Sequence, residues 1–273
     1  MGKSDQPDQQ DQSQQLHDIK PGQSIGLLKA LHILTRDGKM NQDSRRKLKQ
    51  VNHLVQFITP LLDELLQQQQ AISLVDHGAG KSYLGFMLYD LYFKARADAS
   101  HIYGIETRSD LVSKSEQLAA SLDFPRMSFL NLSVAESTVS AQLPKQVDVV
   151  TALHACNTAT DDAIHFALAK QARFIVLVPC CQAEVATVLK KNKSSHGTDP
   201  LTELWRHPLH TREFGSQLTN VLRCLQLEAH GYHVSVTELC ALRRHIFGTE
   251  RHSNAASAVR VDAIVYSPST LQG

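Results

Sequence analysis

Ten residues constrain this chain more than any others: Leu74-Val75-Asp76-His77-Gly78-Ala79-Gly80-Lys81-Ser82-Tyr83. An apolar run ends in an acid, two glycines alternate, and a helical pattern follows through Leu84, Met87, Leu88 and Leu91. That is how the first strand, the Gly-rich turn and the first helix of an open α/β sheet are written. The pattern then repeats. Strand-like runs are predicted at 71–76, 101–106, 127–130, 147–153, 173–178, 232–239 and 260–266, most of them separated by helical periodicity. Such alternation predicts a parallel sheet with helices on both faces.

Upstream of the turn the chain reads differently. Residues 1–22 are Gln, Asp and Ser with little apolar content, a composition that cannot offset its ordering entropy, and a disordered tail is expected. Residues 23–70 are predicted as a helical extension. Leu27, Leu28, Leu31 and Leu34 fall at helical spacing. A longer helix opens near Asn41–Ser44 and carries Val51, Leu54, Val55, Ile58, Leu62 and Leu65 on one face, with Pro60 as a candidate kink. Residues 71–273 form the α/β domain.

Three ligands compete for the glycine turn. A P-loop needs Gly five positions before Gly80-Lys81-Ser82, where Val75 stands. A dinucleotide fingerprint needs a third small residue where Tyr83 stands, and that ring obstructs close helix–strand packing beside a pyrophosphate. S-adenosylmethionine carries no phosphate. It needs backbone approach at Gly78 and Gly80, a carboxylate such as Asp76, and a second acid for its ribose hydroxyls. Glu106, closing the second predicted strand, suits the latter role. Thr107 to Asp110 after it has capping-box spacing. The expected cofactor contacts are Asp76, Gly78, Gly80, Lys81, Tyr83, Glu106, Asn131, Leu132, Leu153 and His154.

Two further motifs follow the fourth and fifth strands: Leu153-His154-Ala155-Cys156-Asn157-Thr158-Ala159-Thr160-Asp161 and Pro179-Cys180-Cys181-Gln182. Ligands of doubly wound sheets lie outside the carboxyl ends of the strands, so both motifs are expected to converge on the crevice of the glycine turn. Together with Asp76-His77-Gly78-Ala79-Gly80-Lys81, they resemble class I S-adenosylmethionine-dependent methyltransferases, in the family that includes methyltransferase-like proteins with an rRNA adenine dimethylase-like domain. The latter two motifs are also similar to those of tRNA 2′-O-methyltransferases. The sequence departs at Asn157, where such relatives usually carry Gly, and at Gln182, where the tRNA enzymes favour His. The resemblance covers about 71–266. It implies a Rossmann-like, seven-stranded, mainly parallel sheet whose last strand is antiparallel, S-adenosyl-L-methionine as cofactor, and RNA as substrate.

Candidates for chemistry are His154, Cys156, Asp161, Cys180 and Cys181. His154 is a base, a cofactor contact, a substrate contact or a hydrogen-bonded structural residue. Cys156 is a packed residue or a nucleophile. Asp161 orients the following helix or serves the site. Cys180 and Cys181 are pocket floor or, less simply, a nucleophile of the kind that attacks a pyrimidine ring. Adjacent cysteines rarely ligate one tetrahedral ion, and no Cys-x-x-Cys pair exists, so no metal site is assigned. With a net charge of +1, affinity for RNA has to come from local patches, of which Arg45–Lys49 and Arg243–Arg251 are the candidates. Five cysteines, two of them adjacent, form no disulfide framework, and a reducing, cytoplasmic setting is expected. No apolar run is long enough to span a membrane, and neither a signal peptide nor a myristoylation signal is read at the start. The rival readings are a protein or small-molecule methyltransferase, and a non-catalytic RNA-binding or regulatory module.

Overall fold

The computed structural model describes residues 18–153, 155, 157–179, 183–191, 204, 206–239 and 261–268, with backbone alone for 238–239 and 261–268. In chain order the elements are α1 (Ile25–Ala30), α2 (Gln42–Gln68), β1 (Ser73–His77), α3 (Tyr83–Leu88), β2 (His101–Glu106), α4 (Ser109–Ser121), β3 (Met127–Asn131), α5 (Val134–Val139), β4 (Val149–Leu153), α6 (Thr158–Ala169), β5 (Phe174–Val178), α7 (Glu184–Lys191), α8 (Pro208–Ala229), β6 (Tyr232–Leu239) and β7 (Val261–Pro268). The architecture is α/β and Rossmann-like, with a parallel central sheet of five strands. No helix among the described residues is long and apolar enough to cross a membrane.

The chain divides into two compact units. The first comprises Met1–Ile72, Ala79–Asn131 and Leu239–Asn254. In it β2 and β3 run parallel, with Glu106 opposite Asn131 at their carboxyl ends. Gly104 of β2 has no tolerance for a side chain, because a Cβ there would lie 2.6 Å from Cδ1 of Phe129. Helix α2 runs unbroken through Pro60, so that residue does not interrupt it. Asn41 caps its start, accepting the Ser44 N–H at 2.7 Å. Its leucine face is fully buried at Leu48, Leu54, Leu62 and Leu65, and each such side chain contributes about 1.5–3 kcal/mol of burial. That burial holds the helix across the hydrogen bond the proline removes.

Helix α1 hangs on α3 and its continuation. The Ser24 N–H donates to Oδ2 of Asp90 at 2.7 Å, and the Tyr83 hydroxyl donates to the Leu31 carbonyl at 2.9 Å. After α3 the chain makes a π-turn over Tyr89–Phe93. Arg126 then collects the carbonyl oxygens of Phe93, Arg96 and Asp98. The extra length between the two acids, Asp76 and Glu106, is this π-turn and its stapled loop.

The second unit comprises Ser73–Gly78, Leu132–Glu238 and Ala255–Gly273. Its strands lie in the order β1-β4-β5-β7-β6. β1, β4 and β5 are parallel, with Asp76 opposite Thr151 and Leu153 opposite Val178. β7 pairs antiparallel to β5. β5 is buried at every position, as expected of a strand covered on both sides. Helix α5 opens with a capping box in which Ser133 and Glu136 exchange hydrogen bonds.

Candidate active site

In the first unit the glycine turn closes on the end of β2. The Ala79 N–H donates to the Ile105 carbonyl at 2.9 Å, and the Gly80 N–H donates to Oε2 of Glu106 at 2.8 Å. Gly80 holds φ +58, in the left-handed region that favours glycine. Ser82, at φ +49, is also left-handed where α3 begins. Lys81 is exposed.

Glu106 is 8% exposed and collects donors on both oxygens. Arg108 donates from its backbone N–H and Nε to Oε1, each at 3.1 Å, and from Nη2 to Oε2 at 3.3 Å. Burial pushes the Glu106 carboxyl up, but hydrogen bonds from Arg108 and Gly80, with the Arg108 charge, more than reverse it, and the group titrates below the ordinary glutamate range. The hydroxyl of Thr107 also donates to Oε1, at 3.3 Å. That diverts it from helix capping: the N-cap of α4 is Arg108, and no side chain caps the helix. The capping box expected at Thr107–Asp110 is therefore absent. Asn131 donates from Nδ2 to the carbonyls of Glu106 and Thr107, at 3.0 and 2.8 Å, fixing its amide beside the acid. Tyr83, expected at the cofactor, spends its hydroxyl on Leu31.

In the second unit Asp76 is 2% exposed and accepts the Thr151 hydroxyl at 2.9 Å. The parallel register brings the carboxyl ends of β1, β4 and β5 to one edge. Gly78, at φ +67, leaves that edge with open space where a Cβ would stand. Leu132 and Leu153 are half-buried. His154, Cys156, Cys180 and Cys181 lie outside the described residues, as do Gln182 and Arg243–Arg251.

The loops after β4 and β5 do meet. Asn157 accepts the Ala183 N–H on Oδ1 at 3.3 Å. Its backbone stands at φ 50, ψ −125, a glycine-type conformation. Asp161, in the first turn of α6, is held by Arg223 of α8 through both oxygens, at 2.7 and 2.9 Å. Its observed partner is thus an arginine that the sequence motifs did not flag.

The basic run at 45–49 is largely committed. Arg45 and Lys49 both pair with Asp18, at 3.2 and 3.0 Å, and Arg46 pairs with Asp43 at 3.4 Å.

A family model described as a methyltransferase domain matches residues 46–188, more than half of the chain. The chain belongs to this family. It carries a methyltransferase domain. It is 25% identical over 182 residues to a glutathione S-transferase C-terminal domain-containing protein of Bos taurus, a match that covers 66% of this chain. This chain spans about a quarter of that relative's length, 25%. Solved structures with a loosely similar course include the magnesium protoporphyrin IX methyltransferase of Synechocystis PCC 6803 (TM-score 0.46, 16% identity, covering 90% of this chain and 95% of that one). Two others are an rRNA methylase of Streptococcus thermophilus (TM-score 0.42, 7% identity, 73% and 88% covered) and the human methyltransferase 10 domain containing protein (TM-score 0.46, 10% identity, 81% and 82% covered).

The residues of this domain fit S-adenosylmethionine as a cofactor. Glu106 is a buried, ionised acceptor with two oxygens, the match for a ribose diol. Gly80 keeps the approach to it free of a side chain. Arg108, Thr151 and Arg223 were not legible as site residues; only Arg108, adjoining the acid after Thr107, carried any local signal.

Proposed function

We propose that this chain is a class I S-adenosylmethionine-dependent methyltransferase acting on RNA, its sheet completed to seven strands with the last antiparallel, and residues 23–70 forming a helical extension of the domain at 71–273. The observation that carries the RNA reading is a cleft of about 330 Å³ where Lys81, Lys114 and His32 stand around Leu31, Leu111 and Leu118. Cations around apolar walls suit a nucleotide: its phosphate meets the lysines, its base the leucines. The likeness of the post-β4 and post-β5 motifs to tRNA 2′-O-methyltransferases supports the same reading. Since Arg45 and Lys49 share Asp18 and Lys114 pairs with Asp110 at 3.3 Å, the phosphate contact falls first to Lys81.

When bound, the cofactor supplies an electrophilic methyl group on its sulfonium. Glu106 accepts hydrogen bonds from the ribose, Gly80 and Gly78 admit the amino-acid portion, and Asn131 and Leu132 meet the adenine. Asp76, Lys81 and Leu153 complete the set. The acceptor is held in line by the segments after β4 and β5, and positioning supplies much of the rate. His154 takes the acceptor's proton where that nucleophile needs a base, and Cys156, Cys180 and Cys181 shape the pocket. A reducing, cytoplasmic setting suits these thiols.

The test is incubation with methyl-labelled cofactor and total RNA and protein from cells lacking the gene. Label is expected in RNA, and is expected to be lost with Glu106→Gln. Label confined to protein overturns the RNA reading and favours a protein methyltransferase.

A further inference from the structure

Arg223 lies on α8, more than sixty residues from the motif it touches. Its side chain is 3% exposed. Nε and Nη2 grip both oxygens of Asp161, and Nη2 also donates to the Asn157 carbonyl at 3.0 Å. Asn157 is the N-cap of α6, yet its side chain caps nothing there and accepts from Ala183 instead. One guanidinium therefore secures the start of α6 and, through Asn157, Ala183 just before α7.

Stability does not account for this arrangement. Desolvating a guanidinium costs several kcal/mol. Nη1 is buried with no partner among the described residues, and the Asp161 side chain is 45% exposed, so the pair is partly screened. An apolar side chain of the same length would dock α8 at lower cost. What an arginine alone provides is a rigid planar fork that bonds a carboxylate at two points and a carbonyl at a third. The carbonyl belongs to a residue in a strained, glycine-type conformation, at φ 50 and ψ −125. Both secured segments leave the carboxyl edge of β4 and β5, where Leu153 stands opposite Val178. That edge is where open α/β sheets bind their ligands.

We infer that Arg223 is a positioning residue for methyl transfer: through Asp161 and Asn157 it fixes the start of α6 after β4 and, through Asn157, Ala183 at the start of α7 after β5, beside the acceptor. The inference concerns the transfer step and does not rest on the acceptor being RNA.

Arg223→Met and Arg223→Lys test it. Calorimetric titration gives cofactor affinity, and methyl-label transfer is measured into a whole-cell extract containing both RNA and protein. In Arg223→Met, cofactor Kd is expected within threefold of the parent while transfer falls at least tenfold. Arg223→Lys keeps the charge but not the fork, and is expected to restore transfer only in part. Amide exchange over 155–161 and at Ala183, which needs no acceptor, is expected to accelerate at least tenfold in both variants with β1 and β4 unchanged. The inference is overturned by transfer within threefold of the parent in Arg223→Met, by full restoration in Arg223→Lys, by unchanged exchange, or by Kd weakening in step with transfer. Failure of both variants to fold makes Arg223 a folding residue and overturns it equally.

Discussion

Arg108 holds both carboxylate oxygens of Glu106 from one guanidinium, with Nε on Oε1 and Nη2 on Oε2. The Arg108 side chain is 63% exposed, so it can swing away, and the same oxygens are the ones assigned to the ribose. Arginine and cofactor therefore compete. An exposed pair of this kind is worth about 0.2–1 kcal/mol. Arg108→Ala is expected to tighten cofactor binding by up to about fivefold, and to make it less sensitive to salt. Calorimetric titration at low and high salt checks both; weaker binding would mean that the arginine orients the acid instead.

Glu106 gives the fold a definite response to acid. Its folded carboxyl titrates below the ordinary value of 4.5, so the stabilisation is complete above that value and is lost as pH falls through the folded one. Melting curves between about pH 6 and about pH 3 should show Glu106→Gln less stable than the parent at the upper end, with the two converging in acid. Parallel curves across the range would remove Glu106 from the account.

Gly80→Ala tests the turn itself. A Cβ there would meet Nη2 of Arg108 at an ordinary 3.8 Å, so space is not the obstacle. The obstacle is the left-handed backbone, φ +58, which costs a non-glycine residue about 1–2 kcal/mol. A fall in melting temperature of about 2–8 °C is expected. Weaker cofactor binding should accompany it, read by calorimetry on the folded variant.

Tyr83→Phe separates two roles. The hydroxyl is bonded to the Leu31 carbonyl, and removing it from a part-buried carbonyl costs about 1–3 kcal/mol. Denaturant titration should show that loss while cofactor Kd stays within about twofold, less than half a kcal/mol. A tenfold weaker Kd at unchanged stability would return Tyr83 to the cofactor.

Much of the fold was legible because burial writes it in short-range patterns. The runs at 101–106 and 232–239 match β2 and β6 residue for residue, and the remaining strands differ only at their ends. Asn41 announced α2 by its capping chemistry. The same logic failed at Thr107, since the neighbouring acid claimed its hydroxyl, and it overlooked Ser133–Glu136, a true capping box written in plain Ser-x-x-Glu form. Asp76 and Glu106 do stand at the carboxyl ends of β1 and β2, and Gly78 and Gly80 do take positive φ, because a tight turn leaving a strand favours glycine. Arg223 was not legible. The buried side of α8 carries Thr211, Gly215, Asn220 and Arg223 before Leu227, a polar stripe with no apolar period to mark it. Its partners are settled by packing between distant segments, which no local spacing encodes.

The bond between Tyr83 and Leu31 also ties the end of α1 to the start of α3. Tyr83 opens α3 three residues after Gly80, and Ser24 is tied to Asp90 beyond that helix. The start of α3 is thus built from two distant stretches of sequence, and residues 24–31 and the first turn of α3 are expected to gain or lose their order together.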